Sequence, residues 1–141
     1  AYQLARTDEK RMARLVVLDA GVVIALYNDL DPHHDWARGV FVKTVADRLV
    51  IPSLTYAEIL VHPSRTGRRE QFVQAIVGLS MTVEPVTVKR AERIADARAT
   101  TSLKMPDAAV LALATELSGV LATTDDTLRK VARDQGLEVI S

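Results

Sequence analysis

Four acidic residues stand in apolar flanks at well-separated points of the chain: Asp19 in LVVLDAGVV, Glu58 in LTYAEILV, Asp107 in MPDAAVLAL and Asp125 in GVLATTDD. Each has a local reading at a helix terminus. Asp19 and Asp125 are placed to cap following helices, and Thr55-x-x-Glu58 matches a capping box. Asp107 falls in a first helical turn, where a carboxylate meets unpaired amides. Together they admit a second reading. Carboxylates gathered in one partly dry place raise one another's pKa and destabilise the fold unless a cation lies among them. The chain has no cysteine, and an all-oxygen donor set suits Mg²⁺ or Mn²⁺ rather than zinc. Such an ion polarises a phosphorus centre and supplies hydroxide, so hydrolysis of a phosphodiester needs no serine, cysteine or histidine nucleophile.

The elements that must position these residues read as alternating strands and helices. Leu15 to Leu18 is a buried strand ending in a turn at Asp19 to Gly21, and GVVIALYN is a short helix. HHDWARGVFVKTVADR is a helix with Trp36, Val40 or Phe41, and Val45 on one face. RLVIP is a second strand, followed by SLTYAEILVHP, a helix capped at Thr55 that stops before Pro63. EQFVQAIVGL is helical and MTVEPV a third strand. TVKRAERIADARATTSLKM is a basic helix with Val88, Ala91 and Ile94/Ala95 inward. PDAAVLALATELSG runs from Pro106 to Gly119 with a stripe of Val110, Leu113/Ala114 and Leu117. VLATTD, DTLRKVARDQG and LEVI complete the pattern as strand, helix and strand. This alternation predicts one α/β domain over residues 15–141, a three-layer sandwich around a mostly parallel sheet, behind a polar segment over residues 1–14. In such sheets ligands lie beyond the carboxyl ends of the strands, where strand order reverses. All four acidic residues satisfy that rule.

Composition narrows the function classes. The 141 residues are 48% hydrophobic and 26% charged, which suits a folded domain of this size. Lys+Arg and Asp+Glu both number 18, so a strongly basic domain is excluded while a local basic rim is not. The lack of cysteine removes disulfide scaffolds, thiolate catalysis and iron–sulfur clusters. No apolar stretch approaches the ~20 residues of a membrane span. The charged lead AYQLARTDEKRMAR has no signal-peptide core. A cytoplasmic protein without membrane contact is expected, its lead either a trimmed remnant or a partner-facing tail.

The motifs V-L-D-A, P-S-L-T-Y-A-E, P-D-A-A-V-L-A-L-A-T and L-A-T-T-D, in this order from Leu15 to Ile140, resemble the PIN-domain family, in particular its VapC-type toxins of toxin–antitoxin pairs. The resemblance implies a flavodoxin-like sandwich of five strands in the order 3-2-1-4-5, cleaving RNA with Mg²⁺ or Mn²⁺. It matches the family's acidic positions to Asp19, Glu58, Asp107 and Asp125, and the family's neighbouring hydroxyl to Thr123. Asp19 and Asp107 would then be direct metal ligands, Asp125 would complete or orient the shell, and Glu58 would position water or a second ion. A cognate antitoxin and a homodimer are further implications. Asp126 departs from the family's usual basic or amide residue and is either a substitute ligand or added charge; Leu128 replaces a usual Phe.

Other signals are local. His33, His34 and His62 fit no zinc spacing. Asp96 is either an outer ligand or a solvated helix residue, and Trp36 either core or groove. Arg65, Arg68, Arg69, Lys89, Arg90, Arg93, Arg98 and Lys104 form either an RNA-holding rim or an ordinary solvated face. Aromatic residues make up 4%, too few for a base-stacking platform. Phosphatases of the haloacid-dehalogenase type need D-x-D where Asp19-Ala20-Gly21 stands. A receiver domain needs an aspartate where Glu84-Pro85 ends the third strand, and G-x-G-x-x-G is absent. The rival from another class is a PIN-like module that binds RNA or protein without cutting.

Overall fold

Alternation along three central strands decides the architecture. In β1 (Leu15–Leu18), β2 (Arg48–Pro52) and β4 (Val120–Ala122), one set of side chains (Val16, Leu18, Leu49, Ile51, Val120, Ala122) enters one core. The intervening Val17, Val50 and Leu121 enter a second core on the opposite face. Strands buried on both faces must be covered by helices on both, which is what the connections supply. The computed structural model describes residues 13–140, so residues 1–12 of the polar lead lie outside the described residues.

The first core is closed by α1 (Ala20–Leu26), α2 (His34–Lys43), α3 (Ser53–Arg65) and α4 (Arg69–Gly78). The second is closed by α5 (Val88–Ala99), α6 (Met105–Glu116) and α7 (Asp126–Asp134). With β3 (Thr82–Glu84) and β5 (Val139–Ile140) the sheet runs β3-β2-β1-β4-β5, parallel throughout. This is the expected three-layer α/β sandwich with strand order 3-2-1-4-5. Pairing of Val16 with both Leu49 and Val120 puts β1 at the centre, and the chain changes direction across the sheet between β1 and β4.

Several local expectations are corrected. Helix α3 begins at Ser53 with Pro52 at its cap position, so Thr55 lies inside the helix and no capping box with Glu58 forms. The Ser53 hydroxyl instead accepts the Val86 amide at 2.9 Å. The same helix continues through the buried Pro63 to Arg65. A proline this close to the end removes one helical hydrogen bond, while the last turn closes through the amides of Thr66 and Arg68 on His62 and Pro63. Helix α2 stops at Lys43, leaving Val45 exposed rather than inward, and Trp36 packs against the first core. Helix α5 ends at Ala99, and Val88, one residue past the Thr87 cap, is exposed. Helix α6 is buried on nearly all sides, Ala108 to Leu111 as well as Leu113 and Ala114, rather than along one stripe. After α6 the left-handed turn falls on Ser118 (φ 51°). Gly119 is required for close approach, since a Cβ there would stand 3.0 Å from the Leu15 carbonyl oxygen.

Thr55 is fully buried and its hydroxyl has no partner among the described residues. Replacing an unsatisfied buried hydroxyl by a methyl of the same shape removes a desolvation cost of about 1 kcal/mol. Thr55→Val is therefore expected to raise Tm by about 3 °C for a domain of this size. Calorimetry of the variant in EDTA checks this, and a lowered Tm would show that the hydroxyl is satisfied after all.

Candidate active site

The crevice beyond the carboxyl ends of β1 and β4 holds a cleft of about 310 Å³. Its walls carry Asp19, Glu58, Asp107 and Asp125, with Gly21 and Thr124 between them. The four predicted carboxylates thus arrive from four separate elements. Asp19 follows β1 as the cap of α1, Glu58 sits in the second turn of α3, Asp107 in the first turn of α6, and Asp125 precedes α7.

Three of the local readings hold alongside this convergence: Asp107 lies in the first turn of α6, and two carboxylates cap helices. Asp19 caps α1, its Oδ1 accepting the Val22 amide at 3.0 Å. Asp125 caps α7, its Oδ1 accepting the Leu128 amide at 2.8 Å. In each case one carboxylate oxygen secures the helix and the group still faces the cleft. Glu58 forms no capping box; its carboxylate has no hydrogen-bond partner among the described residues and lines the cleft. Thr123 is fully buried; its hydroxyl donates to Asp19 Oδ2 and accepts the Asp125 amide at 3.0 Å. It therefore ties the end of β4 to Asp19, while the Asp19 amide reaches the Ala122 carbonyl at 3.2 Å.

Burial and mutual repulsion act together on these groups. Asp19, only 7% exposed, has its pKa raised chiefly by burial, with the Asp125 charge adding to it and the bonds from Thr123 and Val22 opposing. Burial, then the charges of Asp107 and Asp19, raise Glu58. Burial, then the charges of Asp125 and Asp19, raise Asp107, and Lys104 counteracts. The cleft is thus electrostatically unfavourable for its own ionised groups.

That donor set fits a hard cation. Among the described residues no three His, Cys, Asp or Glu side chains are gathered closely enough to enclose an ion. Mg²⁺, which retains several waters and takes only one or two carboxylates directly, suits walls spaced in this way. The histidines lie elsewhere in role: His34 Nδ1 meets the Ala25 carbonyl at 2.8 Å, and His62 is exposed near the end of α3.

Other expected residues are placed apart. The Asp126 side chain is 92% exposed and pairs with Arg129, outside the cleft. Asp96 lines a different depression with Arg93 and Thr100. Thr124, which the sequence reading passed over, lines the cleft. Its signal was available, since it directly precedes Asp125. Gly21 is also part of the wall, where a Cβ would crowd Asp19 Oδ1 at 3.3 Å.

Among the described residues no helix is long and apolar enough to cross a membrane. Comparison with curated proteins finds no match. Among solved structures, the chain is similar to a toxin–antitoxin complex from Klebsiella pneumoniae (19% identity, 89% of this chain and 96% of that one, TM-score 0.69). It is likewise similar to VapC20 of Mycobacterium tuberculosis, titled a sarcin–ricin loop cleaving toxin (18% identity, 82% and 94% covered, TM-score 0.70). A third is VapBC-1 from nontypeable Haemophilus influenzae (20% identity, 90% and 97% covered, TM-score 0.66). At these identities the likeness is one of fold, and that fold is the one found in VapC toxins. The PIN domain profile itself matches residues 16–134, nearly all of the sheet with its acidic cleft, and the chain belongs to the PIN-domain family.

Proposed function

We propose that this protein is a Mg²⁺- or Mn²⁺-dependent endoribonuclease and the toxin of a toxin–antitoxin pair. The observation that carries this reading is the convergence of Asp19, Glu58, Asp107 and Asp125 on one cleft at the point where strand order reverses. A divalent ion held there would supply Lewis acidity toward a phosphate oxygen and a water of lowered pKa. Asp19 and Asp107 are the residues assigned to hold it directly, with Asp125 completing or orienting the shell through a retained water. Thr123 and the Val22 amide fix both oxygens of Asp19, so this ligand is oriented before anything binds. Glu58, on the part of the cleft wall contributed by α3, is assigned to position water or a second ion. In this reading water is the nucleophile, so hydrolysis needs no covalent enzyme intermediate. Single-stranded or looped RNA is the expected substrate, because a stiff duplex presents its phosphate poorly for in-line attack. The deciding experiment is cleavage of host RNA by the purified protein: activity with Mn²⁺ or Mg²⁺, none in EDTA, and recovery on adding metal back. A protein that binds Mn²⁺ and cuts none of its host's RNA would instead be a binding module.

The antitoxin belongs to the same proposal. Gly21 of the cleft wall, Ile24, Tyr27 and Leu30 follow at intervals of three, the last three exposed. Tyr27 meets the edge of Phe72 at 5.7 Å, and the Arg68 guanidinium lies 5.4 Å from the Phe72 ring centre. Exposed apolar side chains that follow the cleft residue Gly21 suit an amphipathic partner segment. A homodimer in the cytoplasm is proposed as well. Its support is the apolar groove between Leu54, Ala57, Ile94, Ala95 and the half-exposed Met105. Light scattering at micromolar concentration reads the dimer directly.

Metal and pH should act together on stability. Because Asp19, Glu58 and Asp107 have raised pKa values, the native state binds more protons than the unfolded chain above about pH 4. Their stabilising contribution is complete below that pH and is lost as pH rises through the raised values. Glu116, lowered by Arg90, has the opposite sign, its contribution being lost as pH falls. The difference in Tm between Mn²⁺ and EDTA cancels Glu116 and isolates the cleft. It is expected to be near zero at pH 4.5 and to grow by several degrees toward pH 7.5, since metal at 100 times its Kd adds about 2.7 kcal/mol. A difference that stays flat across this range would remove the metal site.

A further inference from the structure

Most of the basic residues expected at the rim are committed within the fold. Arg90 bridges Glu84 and Glu116, with Nη atoms at 2.9 Å from each carboxylate, and Arg93 meets Glu116 at 2.7 Å. Arg98 donates to the Leu103 carbonyl at 2.8 Å, Arg69 to Ser64 at 2.9 Å, and Arg68 covers Phe72. These cations tie β3, α5 and α6 together or pin the α3–α4 turn. Arg65 closes α3 about two turns beyond Glu58. Lys89 stands beside Arg90 at the end of α5 that meets Glu116, the far end of α6 from Asp107.

Lys104 differs. It is the residue at the cap position of α6, exposed, with extended backbone (ψ 164°), and its side chain makes no cap bond. Its carbonyl accepts the Ala108 amide at 2.9 Å, so Lys104 is fixed to the same first turn that carries Asp107. The cleft wall begins two residues later with Pro106 and Asp107. Its ammonium is near enough to act on the Asp107 carboxyl. The carboxylates of the cleft repel a phosphate, and Lys104 is a cation at that lip whose ammonium makes no hydrogen bond or ion pair among the described residues.

We propose that Lys104 is a substrate-binding residue, its ammonium taking a non-bridging phosphate oxygen of the RNA strand as it enters the acidic cleft. The assignment rests on the ribonuclease reading. It predicts binding energy that is largely the same in ground and transition states, hence an effect on KM. It also predicts a salt dependence, because each phosphate neutralised on a single strand contributes about 0.7 to the slope of log K against log salt.

The test compares wild type, Lys104→Gln and Lys104→Arg with a short fluorescein-labelled single-stranded RNA, after confirming equal Tm in EDTA. Lys104→Gln is expected to raise KM about tenfold with kcat within about twofold, and to lower the salt slope by about 0.7. Lys104→Arg should retain near wild-type KM. The Mn²⁺ concentration for half-maximal activity should stay the same or fall in Lys104→Gln, since removing a cation favours another. Anisotropy of the same RNA in EDTA should show the same loss of affinity without turnover. An unchanged KM and salt slope, or a change confined to kcat or to the Mn²⁺ requirement, overturns the proposal and makes Lys104 a residue that acts only through Asp107. A wild-type protein that cuts no RNA overturns the ribonuclease reading and this assignment with it, whereas active wild type and an equally active Lys104→Gln overturn the assignment alone.

Discussion

Asp19→Asn and Asp107→Asn should each lower RNA cleavage about a thousandfold, some 4 kcal/mol of transition-state stabilisation, without loss of the fold. Asp19 carries a structural duty as well as the proposed chemical one, so the substitution there must separate the two. Asparagine caps a helix as well as aspartate does, and at position 19 its carbonyl oxygen can keep the 3.0 Å bond from the Val22 amide. The amide nitrogen then faces Thr123, whose hydroxyl must accept rather than donate; it already accepts from the Asp125 amide and has a second lone pair. Against that adjustment stands the loss of a buried charge that burial and Asp125 both disfavour. The net expectation in EDTA at neutral pH is a Tm equal to or above wild type, while the stabilisation by Mn²⁺ shrinks. Calorimetry and a cleavage assay on the same preparation decide the matter. A variant that keeps wild-type cleavage, or one that loses cleavage and fold together, would remove Asp19 from the proposed site.

Much of this arrangement was legible in the sequence because strands buried on both faces leave unbroken apolar runs. Val16 to Leu18 and Leu49 to Ile51 are such runs, and four acidic residues in apolar flanks at the ends of strands or starts of helices point to one place even though each has a local use. What sequence could not decide was local competition. Thr55 and Glu58 have the spacing of a capping box, yet β2 delivers the chain into α3 three residues earlier, with Pro52 preset for the entry. The basic face of α5 looked like a surface for a polyanion. Only the fold shows that Glu84 and Glu116, distant in sequence, claim Arg90 and Arg93. The same holds for Gly119, whose position after a helix suggested a stop signal and whose actual constraint is the Leu15 carbonyl on a neighbouring strand. Long-range pairings of this kind leave no local pattern.

The adjacent pair Asp125 and Asp126 gives the second large effect, because two chemically identical residues are predicted to differ by orders of magnitude. Asp125 precedes α7, lines the cleft and adds its charge to those of Asp19 and Asp107. Asp126 occupies the first helical position, 92% exposed, and pairs with Arg129 one turn along. An exposed pair of this kind contributes well under about 1 kcal/mol. Asp126→Asn should therefore leave cleavage within about twofold and Tm nearly unchanged. Asp125→Asn keeps the cap on the Leu128 amide, since asparagine serves that position equally. It should nonetheless lose cleavage by about a hundredfold or more, because the charge removed is one the proposed metal shell requires. The contrast is informative in a way that either variant alone is not. Both carry the same substitution one residue apart, so differences in helix propensity or net charge cannot separate them; only the direction of the side chain can. If Asp126→Asn were the inactive one, the helix would have to begin a residue earlier and the carboxylate on Arg129 would have to swing into the cleft, breaking the ion pair that now holds it outside.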